Sequence, residues 1–364
     1  MNKKTFSIRR FEKSDLNEVI QLLNLSFKRQ FWPEWWNWKY KINPAGFWGE
    51  KGDIWIAENM NKVVGHLAVI PVKIKLGAKT VTVAQPVDAA THLDYRGLGI
   101  FKTLLKKICS EAQNRYYFLF GFPNEFSYRP LQRLGWKTFG IVEFLKFLNY
   151  DRALRSFVNN SLVVWSGKMA LRALHASRHV SSSLHLKKYT GGPVEIQKVE
   201  NFPDEIDDFW KQARSEYETI IERTATFLNW RFSKCFGDYQ IYIARSIEER
   251  NIVGYLVLKK TETRNALNIV DMLALLGEDK CVLNLIDTAI TIGKNEGLDL
   301  IHCRLPPWHK YARILYKLGF NRLGRTLRWL KMYQYRLVVY PLREEDKIPG
   351  MHEWFYTLAD TDDV

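Results

Sequence analysis

The sequence predicts a mixed α/β fold laid down twice along the chain, and three observations carry that reading. Residues 81–113 read as a strand, a glycine turn and a helix in immediate succession. Four short blocks within residues 38–136 recur, in the same order, within residues 230–320. The length of 364 residues and the 46% apolar content suit two domains of roughly 150 residues, each with its own core.

The elements follow in order. Residues 1–10 read as a first strand, and Asp15–Phe27 as a helix capped by Ser14. An aromatic run, Phe31-Trp32-Pro-Glu-Trp35-Trp36-Asn-Trp38-Lys39-Tyr40 and then Phe47-Trp48, comes next. Val81–Ala90 is small and β-branched, as a strand requires. The turn Thr91-His-Leu-Asp-Tyr-Arg96-Gly97-Leu98-Gly99 opens Ile100–Gln113, where Ile100, Phe101, Leu104, Leu105, Ile108 and Ala112 share one helical face. A helix N-terminus after such a turn is an anion site: its first amides lack partners and its dipole is positive there. Gly97 and Gly99 leave room for a phosphate at the backbone. The turn lacks the Gly-Lys-Ser/Thr ending of a triphosphate loop, and the three-glycine dinucleotide spacing with a later acid. Tyr116–Phe122 is a short aromatic strand, Pro123-Asn124-Glu125 a turn, and Leu131–Trp136 a helix ending in Gly135.

The stretch Arg96-Gly97-Leu98-Gly99-Ile100-Phe101 resembles the phosphate loop of the GCN5-related N-acetyltransferases, Arg/Gln-x-x-Gly-x-Gly/Ala. Phe101 departs from the last position. Leu131-Gln-Arg-Leu-Gly-Trp136 resembles the family's later helix end, Leu-Tyr-x-x-Leu-Gly-Phe, with Gln132 in the tyrosine's place. The resemblance implies a mixed, mostly antiparallel central sheet flanked by helices in each domain. It also implies acetyl-CoA as acyl donor and a primary amine as acceptor; neither His302 nor His309 has partners at metal-ligand spacing, so no metal is expected. The donor's pantetheine would then lie along Ala89, Ala90 and Thr91, with its pyrophosphate on Arg96, Gly97, Leu98, Gly99, Ile100 and Phe101.

The repeat pairs Trp38-Lys39-Tyr40 with Trp230-Arg231-Phe232, and Ile54-Trp-Ile-Ala57 with Ile241-Tyr-Ile-Ala244. It also pairs Val63-Val64-Gly65-His66-Leu67 with Ile252-Val253-Gly254-Tyr255-Leu256, and residues 131–136 with Leu315-Tyr316-Lys-Leu-Gly-Phe320. In the second copy the loop position reads Ala274-Leu-Leu-Gly277-Glu278-Asp279-Lys280, with one glycine, no arginine and two acids. The expected organisation is therefore an N-terminal acetyl-CoA-binding domain at 1–150 and a basic linker helix at 151–192. A degenerate second domain follows at 193–340, and a tail at 341–364 packs back.

Acetyl transfer needs a base to free the amine, a proton for the leaving thiolate, and a donor for the oxyanion. Asp88, on the strand before the loop, is one candidate base and Glu125 another. Asn124 can hold the pantetheine amide or the acceptor. Tyr128 is a candidate acid provided its helix starts before residue 131. The terminal carboxylate of Val364 can take the proton if the tail reaches the site. Trp32 and Trp35, absent from the repeat, are candidate acceptor contacts, whereas Trp38 and Tyr40 recur and read as packing residues.

The net charge of +15 exceeds what a coenzyme site needs. Segment 151–192 holds seven Lys/Arg against Asp151 alone, and Leu162–Val180 reads as a basic amphipathic helix. An anionic acceptor, a membrane surface or RNA would each answer that charge, as would a merely solvated linker. No run of some 18 apolar residues crosses a membrane. The N-terminus lacks a secretory core, and Cys109, Cys235, Cys281 and Cys303 show no paired spacing. These features lead to an expected cytoplasmic location with reduced thiols. The acceptor class (sugar, peptide or other small amine) and the oligomeric state stay open. Two other readings stay beside the first: a Fem-type transferase using aminoacyl-tRNA, and a non-catalytic binder of acidic polymers. The intact loop argues against the former, so nucleic acid is not the expected partner.

Overall fold

A computed structural model of the chain describes residues 5–46, 53–182, 189–261, 264–323, 335–344, 346 and 348–362. The strands are β1 (Ser7–Arg10), β2 (Ile54–Asn59), β3 (Lys62–Leu76), β4 (Lys79–Thr91), β5 (Phe118–Gly121), β6 (Lys137–Gly140), β7 (Glu143–Phe147) and β8 (Val194–Val199). They continue as β9 (Thr219–Ile221), β10 (Tyr239–Ser246), β11 (Ile252–Thr261), β12 (Ala266–Ala274), β13 (Leu300–Arg304), β14 (Asn321–Arg322) and β15 (Arg336–Pro341). The helices are α1 (Leu16–Phe27), α2 (Pro33–Trp36), α3 (Ile100–Ala112), α4 (Glu125–Arg133), α5 (Tyr150–Arg155) and α6 (Ser161–Ser182). Then come α7 (Ile206–Ala213), α8 (Ala225–Leu228), α9 (Asp279–Asn295) and α10 (Lys310–Lys317).

The chain divides into two units, and neither is a single stretch of sequence. The first comprises Met1–Phe139, Lys234–Phe236 and Arg336–Gly350. The second comprises Gly140–Ser233, Gly237–Tyr335 and Met351–Val364. Residues 140–150 thus group with the second unit and 336–350 with the first, which divisions at 150, 192 and 340 do not anticipate.

The first unit's sheet runs β1-β2-β3-β4-β5-β15-β6, antiparallel from β1 to β4, parallel at β4/β5 and antiparallel at β5/β15. The second runs β14-β7-β13-β12-β11-β10-β8, antiparallel from β8 to β12, parallel at β12/β13 and antiparallel at β13/β7. Both are mixed, mostly antiparallel sheets flanked by helices.

In the first unit α3 lays Ile100, Leu104, Leu105, Ile108 and Ala112 against Trp55, Ala57, Val64, Leu67 and Val69. Gly65 decides how close it comes: a Cβ there would lie 2.4 Å from Ile100 Cγ2. Gly254 does the same in the second unit, where a Cβ would lie 2.7 Å from Cys281 Sγ on α9. The repeated Val-Val-Gly and Ile-Val-Gly blocks are therefore helix-seating strands.

Several local expectations need correction. Ser14 does not cap α1: its N-cap is Asp15, which closes a 3-10 turn at Lys13–Asp15 through reciprocal bonds with Glu12. The Asp15 carboxylate also takes the Arg9 guanidinium at 2.7 and 2.8 Å. The helix expected from Leu131 begins at Glu125, because Asn124 accepts from the amides of Phe126 and Ser127, both at 3.0 Å. A sequence reading that began the helix at Leu131 missed this cap.

From Met351 on, the tail is an integral part of the second unit. Phe355, Leu358 and Ala359 join its main core. Beneath them Arg223, fully buried, binds Asp271 at 2.8 Å and Asp360 at 2.5 Å, while Thr357 and Tyr255 each donate to Asp271 at 2.8 Å. Burial pushes the Asp360 carboxyl above its ordinary pKa, and the Arg223 charge opposes that rise. Arg223→Met leaves two buried carboxylates facing each other. We expect it to destabilise the second unit by about 3–5 kcal/mol in urea unfolding at pH 7, with part of the loss recovered at acid pH as Asp360 protonates.

Candidate active site

The site of the first unit is assembled from the carboxyl end of β4, the turn after it, and the start of α4. On β3, His66 pairs with Ala90 and Ala68 with Val87, so Asp88 and Ala89 together oppose Leu67. This is a β-bulge, and Asp88 takes a left-handed φ of 54° in it. Two contacts hold the strained residue. Its carbonyl accepts from His66 Nδ1 at 2.8 Å, which places the imidazole proton on Nδ1. Its carboxylate binds Lys39 Nζ at 2.9 Å and accepts from the Tyr40 hydroxyl. All of these side chains are buried.

The electrostatics follow from that enclosure. Burial pushes the Asp88 carboxyl up, but the Lys39 ammonium and the Tyr40 hydroxyl outweigh it and hold the group below the usual carboxylate range. Burial keeps the His66 imidazole below its ordinary pKa and so neutral. Asp88 is thus an ionised, buried member of an ion pair, with both oxygens engaged. This geometry suits an anchor for the bulge and does not suit the base expected at that position.

The pairing of β4 with β5 ends before the bulge. Their parallel ladder contains a single register pair, Ala84 with Leu119, although β4 runs on to Thr91 and β5 to Gly121. The β5-facing edge of Ala89, Ala90 and Thr91 is therefore not consumed by a ladder.

The turn that follows has the form expected of an anion cradle. Gly97 and Gly99 have φ of 80° and 83°, values that favour glycine. Gly99 is the N-cap of α3 and offers no side-chain acceptor to the first turn. The first helical bond is Thr103 N–H to Gly99 O at 3.0 Å, so the amides before Thr103 face outward without helical partners. A Cβ built at either glycine meets nothing within 4 Å. The residues present therefore fit a pyrophosphate: open space, converging amides and a helix dipole. Arg96 and Leu98 are exposed on the same turn, and Phe101 is half-buried against the α3 core.

The second unit closes the corresponding place with its own chain. Gly277 keeps a φ of 82°, but the Lys280 amide donates to Thr190 O at 3.0 Å. Gly191 lies so close that a Cβ would sit 2.5 Å from Glu278 Oε2. Burial, then the Glu249 charge, raises the Glu278 carboxyl. Tyr316 on α10 packs 5.4 Å from the Phe144 ring.

The remaining candidates separate clearly. Glu125 and Asn124 are exposed at the start of α4. Tyr128 lies four residues before Gln132 in α4, one turn earlier on the same face. Its ring carries Arg336 from β15 at 4.1 Å. Trp35 is buried, edge-on to Phe31 at 4.5 Å with Lys39 Nζ 5.0 Å from its ring, and is a packing residue. Trp32 is only half-buried, edge-on to Phe236 at 5.1 Å. Val364 lies outside the described residues, and the tail from Met351 to Asp362 groups with the second unit. Among the described residues no cluster of His, Cys, Asp or Glu could hold a metal. Burial pushes the Cys109 thiol up to about 12, which makes it a poor nucleophile. Sequence reasoning missed Lys39, His66 and Arg336. Retention of a cation in Trp38-Lys39-Tyr40 and Trp230-Arg231-Phe232 was the available signal for the first; Arg336, some 200 residues from Tyr128, left none.

Comparison with known proteins agrees with this geometry. Residues 7–139 match the family model described as an acetyltransferase (GNAT) domain. No curated protein sequence matches the chain. A GCN5-related N-acetyltransferase from Anabaena variabilis superposes with a TM-score of 0.60 at 12% identity, covering 93% of this chain and 73% of that one. A probable N-acyltransferase from Enterococcus faecalis gives 0.61 at 12%, covering 92% and 72%. The Saccharomyces cerevisiae N-myristoyltransferase with bound myristoyl-CoA gives 0.55 at 13%, covering 93% and 80%.

The ion pair makes a pH-dependent prediction. Because the folded-state pKa of Asp88 is depressed, the pair's contribution is complete above the ordinary carboxylate pKa and is lost as pH falls below it. In Lys39→Met, uncompensated burial raises the same pKa, so the sign inverts. We expect that variant to lose stability as pH rises from about 4 to 7, in thermal unfolding followed by circular dichroism, while the parent protein does not.

Proposed function

We propose, from the premise that residues 7–139 belong to the acetyltransferase (GNAT) domain family, that this chain is an acyl-CoA-dependent N-acyltransferase acting on a primary amine, with acetyl-CoA as donor. The observation that carries the reading is the α3 N-terminus, where Gly97 and Gly99 hold the outward-facing amides against open space. We read the second unit as a degenerate copy of the same fold. Its corresponding helix start is covered by residues 190–191, which supports a structural or acceptor-shaping role.

The donor supplies an activated thioester carbonyl when bound. Gly97 to Lys102 would hold its pyrophosphate through main-chain amides, with Arg96 adding positive charge. The open edge at Ala89–Thr91 would align the pantetheine arm, and an amide freed by the bulge would face the developing oxyanion. Asn124 has one side-chain oxygen engaged in capping α4, which leaves its amide nitrogen to a ligand. With Asp88 held by Lys39, Glu125 becomes the preferred base among the carboxylates. Tyr128 takes the acid's part, supplying the proton that the leaving sulfur needs, from one turn before the family's position. Trp32 is the preferred acceptor contact of the two tryptophans.

Two outcomes follow. Gly99→Glu places a carboxylate where phosphate should bind; calorimetric titration should show acetyl-CoA affinity falling at least about 100-fold with the fold retained. Unchanged affinity, or binding of aminoacyl-tRNA in place of the thioester, would sink the reading. Tyr128→Phe should lower kcat by about 10²- to 10⁴-fold while leaving donor affinity intact, measured by thiol release across a panel of amines. Running acetyl-CoA beside a long-chain acyl-CoA in the same assay fixes the donor.

A further inference from the structure

We infer that α6 docks the protein on an anionic lipid bilayer. One face of this helix belongs to the second unit: Val164 and Leu171 pack with Leu145, Phe147, Ala153, Leu154 and Leu300. The opposite face carries Leu162, Trp165 and Met169 at helical spacing, and their relative exposures are 78%, 62% and 40%. A tryptophan, a leucine and a methionine in one exposed row form an apolar stripe, with Ser166 beside it as a small polar neighbour. Such stripes mark interaction surfaces.

The borders of the stripe identify the occupant. Lys168 and Arg172 flank it on one side, and exposed Arg155 stands on the adjoining α5. Lys168 pairs with Asp151, the one acid in residues 151–192, against seven Lys/Arg in that segment. The chain as a whole carries +15. Cations alone would suit RNA, and apolar side chains alone would suit a protein. The two together, with an indole at the boundary, match a headgroup layer over acyl chains. The helix would lie in the plane of the surface, since none among the described residues is long and apolar enough to cross it. Docking there would set a transferase beside acceptors that reside in the bilayer.

The test is co-sedimentation of the full chain with phosphatidylcholine vesicles, with and without about one third phosphatidylserine. Binding should require the anionic lipid and weaken with salt. Arg155→Gln and Arg172→Gln should each weaken it about five-fold. The pair Trp165→Ser and Met169→Ser should weaken it about ten-fold or more without altering thermal unfolding, since both side chains point to solvent. Four results overturn the proposal: no binding to anionic vesicles, binding indifferent to the Trp165/Met169 pair, retention of tRNA in gel shifts that this pair abolishes, or a dimer in light scattering that the pair dissociates. Acetyl-CoA titration of the same variants is independent of every arm, so failure here leaves the transferase reading standing.

Discussion

The seat of α3 on Gly65 is the contact from which the candidate site follows. A helix N-terminus can hold an anion only if its amides are delivered to the right place, and helices are delivered by packing. With no Cβ at Gly65, Ile100 closes directly on the β3 backbone at the first turn of the helix. The loop before it is then short and must turn through two left-handed glycines. A side chain at Gly65 would push the same turn outward and carry the cradle with it, since packed interiors accommodate added volume by shifting backbone.

The second constraint is the bulge in β4. A left-handed aspartate inside a strand is strained, and it persists where its surroundings over-determine it. Here His66 fixes its carbonyl while Lys39 and Tyr40 fix its carboxylate. The second unit buries a carboxylate at the matching register: Asp88 lies three residues before the partner of Gly65, and Asp271 three before the partner of Gly254. The cation differs, being Lys39 in one and Arg223 in the other. A buried charge pair contributes little net stability against an apolar substitute, but it strongly disfavours backbone arrangements that separate the charges. That is a reason for both units to carry one at the strand that changes course.

The two units diverge where function would lie. Their strand senses follow the same succession, and their seating glycines coincide. Yet one presents open amides at its helix start, while in the other the Lys280 amide donates to Thr190 O and Glu278 stands at the N-cap. The Lys280 amide, which has no helical partner in the first turn of α9, is satisfied by that carbonyl.

The sequence alone determined the local chemistry: the strand, glycine turn and amphipathic helix at 81–112, the late glycine-ended helix, and a basic helix near 162–180. Each of these is set within a dozen residues by periodicity, turn conformation or the absence of a Cβ. Fold class was legible for the same reason. Only the tertiary structure decided what long-range pairing controls. It put β15 beside β5 and β7 beside β13, contacts between segments some 150 to 220 residues apart that no local pattern encodes. It brought Arg336 over Tyr128 and Lys39 onto Asp88, turning the carboxylate that looked most like a base into half of an ion pair. Burial and partners set what a titratable group can do, and both are properties of the folded neighbourhood.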